Sequence, residues 1–215
     1  MKLTKYEHSC VVLEKDGENL VIDAGPLSES YKVPDNCVAI VVTHEHFDHL
    51  DQEKLKATLT KNQDAKLFVN ADIEALLGDE LKPAVVVIAS GQNQTVGGFS
   101  LQFVGSRHEP IRPEVPQPVN TGVIVNELFY HPGDQYFVPE QSFTWLGLPL
   151  NAPWAKVSET TEFVKQAKAQ HIVPIHNGLL NEWGMNTYES HVKAVCEMAG
   201  TEYHPIKTCE SIELV

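Results

Sequence analysis

Short apolar runs separated by turn residues fill the first half of the chain. Lys2–Tyr6, Cys10–Glu14 and Asn19–Asp23 are β-prone stretches, and Asp16-Gly17 between the last two is a hairpin turn signal. Val38–Thr43 is a continuous, mostly β-branched apolar run, the pattern of a strand covered on both faces. Asp51 then reads as a helix N-cap before Gln52–Lys61, where Leu55 and Leu59 are spaced i, i+4. A strand is predicted at Lys66–Val69 and a short helix at Ala71–Leu77, closed by Gly78. Ala84–Ala89, Phe99–Val104, Gly122–Val125 and Leu128–Tyr130 continue as strands, the last two joined by a turn at Asn126-Glu127.

Helical periodicity becomes prominent only in the last third. Thr144–Leu148 is a predicted strand, Ser158 caps a helix running through Ala169, and Ile172–Ile175 is again a strand. Thr187–Ala199 carries His191, Val195 and Met198 at helical spacing, and Glu202–Val215 returns to strand. Strands first, then strands mixed with helices, predict an α+β chain of two packed sheets with helices outside. The 215 residues suit one domain, and neither a repeat nor a linker divides them.

Composition narrows the functional classes. Sixteen Lys and Arg against twenty-nine Asp and Glu give a formal charge of −13. With no basic run to override it, this balance disfavours nucleic acid and anionic lipid as partners, leaving a small-molecule substrate. The N-terminal MKLTKYEHSC lacks the apolar core of a signal peptide, and no apolar run is long enough to span a bilayer. A cytoplasmic location is therefore expected, and the sequon Asn93-Gln94-Thr95 reads as accidental. Cys10, Cys37, Cys196 and Cys209 show no C-x-x-C pairing and read as buried or idle thiols. Oligomeric state is not encoded in any recognisable pattern.

The chemistry concentrates in Thr43-His44-Glu45-His46-Phe47-Asp48-His49-Leu50-Asp51, directly after the predicted buried strand. In extended chain, residues i and i+2 project to one side, so His44 and His46 can grip one ion. Asp48 and His49 follow where the chain turns into a helix and can reach a second ion. Imidazole and carboxylate donors suit zinc, manganese or iron. There is no phosphate-binding loop, no G-x-G-x-x-G and no G-x-S-x-G elbow.

This T-H-x-H-x-D-H-L-D stretch resembles the signature of the metallo-β-lactamase superfamily, and the chain over its full length is similar to the compact, lactonase-like branch of metal-dependent hydrolases. The resemblance implies an αββα sandwich, two mixed sheets flanked by helices, with the metals at one edge. It also implies further ligands in order along the chain. His108 in Gly105-Ser106-Arg107-His108 supplies the third histidine of the first ion. Asp134 in Phe129-Tyr130-His131-Pro132-Gly133-Asp134 bridges the ions, and His176 in Ile172-Val173-Pro174-Ile175-His176-Asn177 completes the second. The implied set is thus His44, His46 and His108 for one ion and Asp48, His49 and His176 for the other, with Asp134 between. Zinc is the leading metal.

Three features depart from the wider family. Gln135 stands where Thr or Ser often follows the Gly-Asp pair, no cysteine occupies a ligand position, and His46 stands where flavodiiron relatives carry Glu.

The activity implied is hydrolysis of a small ester, lactone or phosphodiester by a hydroxide generated at the metals, with Asp48 or Asp134 orienting it. Arg107 and Arg112, in a proline-rich loop starting at a ligand histidine, and His131 and His8 are candidate substrate contacts. Trp154 and Trp183 are candidates for the pocket mouth, with packing as the alternative. His171, His191 and His204 read as structural or exposed. Two other functions compete: a metal-dependent nuclease or RNA-processing enzyme, which in this family usually carries an inserted domain or basic exosite, and a metal-binding member with lost or redox activity.

Overall fold

The computed structural model describes residues 1–215. The apolar alternation along its strands builds two sheets and three layers of core. The first sheet contains β1 (Lys2–Lys5), β2 (Val11–Lys15), β3 (Glu18–Ile22), β4 (Cys37–Val41), β5 (Lys66–Val69), β6 (Val85–Val87) and β14 (Ser211–Glu213), in the order β14-β1-β2-β3-β4-β5-β6. The second contains β7 (Asn93–Val96), β8 (Phe99–Val104), β9 (Gly122–Val125), β10 (Phe129–His131), β11 (Trp145–Pro149), β12 (His171–Ile175) and β13 (Glu202–Tyr203), in the order β13-β12-β11-β10-β9-β8-β7. Each sheet is mixed: β3 to β6 run parallel, as do β10 to β13, and the remaining pairs are antiparallel.

Period-two alternation sorts the side chains. Leu20, Ile22, Ala39 and Val41 point between the sheets, where they meet Phe103, Val123, Val125, Phe129, Val173 and Ile175. Val21, Ile40 and Val42 point outward, beneath α1 (Gln52–Lys61) and α2 (Ala71–Leu76). Ile124, Leu146 and Ile172 point outward on the other side, beneath α3 (Val157–Ala167) and α4 (Glu182–Ala199). Burial on both faces explains why these strands read as unbroken apolar runs.

The N-cap of α1 is Asp51, which accepts from the amides of Glu53 and Lys54. Asp16 and Gly17 both have positive φ, as a tight hairpin of this kind requires.

Three expectations are corrected. α4 begins at Glu182, not Thr187; Asn181 accepts from the Gly184 amide, and Gly184 in the first turn masks the start. α3 starts after Lys156, whose amide donates to Glu159, so Ser158 is not its cap. Glu202–Val215 is two short strands, and they join different sheets: β13 extends the second, while β14 returns to pair with β1. The strand β7 went unpredicted because its residues Asn93–Val96 are largely polar.

Candidate metal centre

Six strands whose C-terminal ends lie at one edge of the sandwich each deliver a polar side chain just beyond that end. His8 follows β1, Asp23 follows β3, and His44, His46, Asp48 and His49 follow β4. His108 follows β8, Asp134 follows β10 and His176 follows β12. Within the central stretch, the His46 carbonyl accepts from the amides of His49 and Leu50. That turn reverses the chain and brings His49 beneath His44, with ring centroids 4.1 Å apart. Gly25 makes the turn possible, because a Cβ there would lie 1.9 Å from the Asp48 carbonyl oxygen.

The donor atoms gather into overlapping groups: His44, His46 and His108; His44, His49 and Asp134; and His8, Asp48, His49 and His176. Within each, the donors lie within 4.8 Å of one another. Asp134 is central. Its Oδ2 is 3.0 Å from His176 Nε2 and 3.3 Å from His108 Nε2, and its Oδ1 is 3.1 Å from His49 Nε2. All seven residues expected as ligands therefore lie at one locus.

In His44, His49, His108 and His176 the nitrogen facing away from the cluster is engaged. His44 Nδ1 donates to Thr43 Oγ1, whose own hydrogen goes to Asp23 Oδ2. His49 Nδ1 donates to Asp23 Oδ2 at 2.8 Å, His176 Nδ1 to the Asn151 carbonyl at 2.6 Å, and His108 Nδ1 to the Glu109 carbonyl. In the neutral form of these four rings, the contacts place the lone pair on Nε2, facing inward. The Nε2 atoms of His44, His49, His108 and His176, together with Asp134 Oδ1, are buried without a hydrogen-bond partner. Five orphaned acceptor-competent atoms at one point would be costly in a bare protein. Divalent cations held among these groups would satisfy all five, so the donor set fits the metal ions that the sequence implies.

Electrostatics follow from burial and neighbours. Burial, with the neighbouring His49, drives His44 well below the usual histidine range. For His49, burial opposes charge but the carboxylates of Asp134 and Asp23 outweigh it and raise its pKa. His176 is likewise raised to about 9, burial being outweighed by Asp134 and Asp48. Burial also works against the charge on Asp48, yet contacts with His176 and His8 hold its carboxyl well below the usual range.

The candidate substrate contacts fare differently. His131 is fully buried; its Nε2 donates to the Ser9 carbonyl and its Nδ1 accepts from the Gly133 amide, so it props the Gly133 turn and faces no opening. His8 is buried too: Nδ1 accepts from the Gly178 amide and Nε2 donates to Asp48 Oδ2 at 3.0 Å. Its Nε2 thereby holds one oxygen of Asp48, and the ring also lines a hollow with Asn177, Gly178 and Glu182. Arg107 and Arg112 are exposed and make no ion pair, and Arg107 borders a hollow formed with Asn70, Ser90 and Val119.

Two residues join the site that its sequence motif did not single out. Asp23 accepts from the Thr43 amide, the Thr43 hydroxyl and His49. The sequence signal was a carboxylate at a strand end followed by Ala-Gly. Trp154 is buried, and its indole donates to Asp134 Oδ2 at 2.8 Å. It also walls a cleft of about 810 Å³ lined by Glu109, Ile111, Tyr136, Glu159 and Glu162. Gln135, the departure after Gly133-Asp134, is buried and donates to the Pro132 carbonyl, so it braces the turn.

Comparison with known proteins matches residues 2–176 to the beta-lactamase superfamily domain family. The chain is 31% identical to protein Rv0786c of Mycobacterium tuberculosis over 185 residues, covering 84% of this chain and 85% of the relative. It is 28% identical to a UPF0173 metal-dependent hydrolase of Saccharolobus solfataricus, covering 83% of each. Among solved structures, Igni18, a metallo hydrolase from Ignicoccus hospitalis, superimposes with a TM-score of 0.74 at 20% identity, covering 98% of this chain and 97% of that one. The metallo-β-lactamase fold protein YhfI from Bacillus subtilis gives 0.71 at 15% identity and 98% coverage of both.

Proposed function

Because this chain belongs to the metallo-β-lactamase superfamily, we propose that it is a metal-dependent hydrolase of a small, uncharged ester or lactone. One observation carries the reading: four buried imidazole Nε2 atoms and Asp134 Oδ1 converge without hydrogen-bond partners. His44, His46 and His108 would hold one ion, Asp48, His49 and His176 a second, with Asp134 between. When bound, such ions polarise a carbonyl or phosphoryl oxygen and acidify water toward neutrality, and zinc suits the donors.

The protein's own groups supply positioning. Asp48 is held by His8 at one oxygen, and its depressed pKa makes it a poor proton store. Its role is to accept a hydrogen bond from the attacking water and aim it. Trp154 fixes the rotamer of Asp134 through Oδ2. His46 is only partly buried and stands, with Asp48, where solvent and substrate enter.

The cleft beside Trp154 favours an uncharged substrate over a phosphodiester. Glu109, Glu159 and Glu162 line it against a single cation, Lys156, while Tyr136, Phe163 and Ile111 offer apolar surface. The same balance argues against a nucleic-acid substrate.

The test is a panel of esters, lactones, thioesters and phosphodiesters, run on protein as purified, after chelation and after zinc is restored. Chelation should abolish turnover, zinc should restore it, and the neutral carboxylic substrates should lead. A metal-free protein that turns over the same substrate overturns the proposal, and a preference for phosphodiesters overturns the substrate class.

A further inference from the structure

At the opposite end of β12 from His176 lies a second cluster of metal-ligating side chains. His171 opens β12 and pairs across the strands with Glu202 of β13. His204 follows two residues after Glu202 and so projects to the same side of the strand. The three donors meet there. His171 Nδ1 is 3.1 Å from His204 Nε2 and 3.4 Å from Glu202 Oε2, and His204 Nε2 is 3.8 Å from that oxygen.

We propose that His171, Glu202 and His204 form a separate binding site for a divalent transition metal such as zinc or copper(II). Two imidazoles and one carboxylate are the donor types these ions select. The separations also fit. Tetrahedral zinc with bonds of about 2.0–2.2 Å places its ligand atoms about 3.3–3.6 Å apart, within a few tenths of an ångström of the observed spacings. Trp145, buried beneath the pair, stacks on His171 at 4.3 Å and on His204 at 4.7 Å, fixing both ring planes. The carboxylate of Glu202 is 67% exposed, so an ion reaches the donors from solvent and keeps water on its open face.

The site is independent of the main centre. His171 and His176 are separated by the length of β12, about 16 Å at 3.3 Å per residue. An ion here clips β13 to β12, a junction that otherwise rests on two paired positions and on the amides of Glu202 and His204 donating to Gln170 and Ile172. Its consequence is therefore thermal stability, not turnover.

The full-length protein, with the main centre zinc-filled, is dialysed against rising free zinc and its metal content measured. Wild type should take up one equivalent more than His204→Ala or Glu202→Gln, and its Tm should rise by several degrees where theirs do not. Ester or lactone turnover should be equal in all three. Glu202→Gln alters an exposed side chain and carries the test if His204→Ala is poorly folded. Crystals of wild type soaked in millimolar zinc should show an anomalous peak between His171 Nδ1 and His204 Nε2. Equal zinc uptake by wild type and Glu202→Gln, or no peak at that position, overturns the proposal.

Discussion

Replacing Asp23 by asparagine keeps the side chain's shape and removes its charge. In the protein Asp23 is acceptor only: Oδ1 takes the Thr43 amide, and Oδ2 takes both the Thr43 hydroxyl and His49 Nδ1–H, at 2.7–2.8 Å. An asparagine that keeps Oδ1 in place turns an amide NH₂ toward His49 Nδ1–H, donor against donor. The contact is recovered only if His49 moves its proton to Nε2, the atom aimed into the centre. Either outcome loses one charge-assisted hydrogen bond, about 1.5–3 kcal/mol, and Asp23→Asn should weaken metal binding about 10–100-fold. The effect should fall on the position held by His49, while His44, whose Nδ1 rests on Thr43 Oγ1, is disturbed less. A chelator competition titration with zinc measures both steps, with circular dichroism as the control for folding. Two affinities within about twofold of wild type, below the smallest loss expected for such a bond, would refute the argument that Asp23 sets the His49 tautomer.

Other outcomes follow from the same geometry. Asp134→Ala should lower metal content at both positions and strongly reduce kcat, with the core intact by near-UV dichroism; retention of both metals and full activity would remove Asp134 from the centre. Arg107→Ala and Arg112→Ala should leave KM within about twofold of wild type, because both side chains are exposed and unpaired; a rise of about tenfold, the loss of a charged contact, would place an anionic substrate group beside them. Lys5 is buried, and burial lowers its pKa to about 8 from 10.5. Below the lowered value the folded protein carries the full desolvation cost, and stability recovers as pH rises toward 10.5. Lys5→Met should therefore be stabilised relative to wild type at neutral pH, by at most about 3 kcal/mol. That gap should shrink between pH 8 and pH 10.5 in urea melts; a constant gap would contradict the assignment. Filter binding at physiological salt should detect no sub-micromolar complex with RNA or DNA, as expected for a charge of −13.

The layered fold was legible because both faces of β4, β9 and β12 are buried and their sequences say so. The seven residues at the centre were legible for a different reason. Four of them fall within six positions of one strand-to-helix turn, and the others sit just past strands whose ends share an edge. What escaped notice depends on contacts between distant segments. Asp23 is one carboxylate among many until Thr43 and His49 close on it. His131 lies three residues from Asp134 in sequence, and only the Gly133 turn shows that its ring points into the protein. The split of the last segment between two sheets is likewise a matter of pairing partners, which no local periodicity encodes.

His8, Asp23 and His176 are each held at a φ of 50–58°, a region that costs a non-glycine residue about 1–2 kcal/mol. All three direct side chains into the same centre. Glycine at any of them would relieve the backbone but forfeit buried hydrogen bonds: those of Asp23 with Thr43 and His49, of His176 with Asn151 and of His8 with Gly178. A chain that keeps His, Asp and His there bears a standing backbone load at three points, and all three points serve one centre.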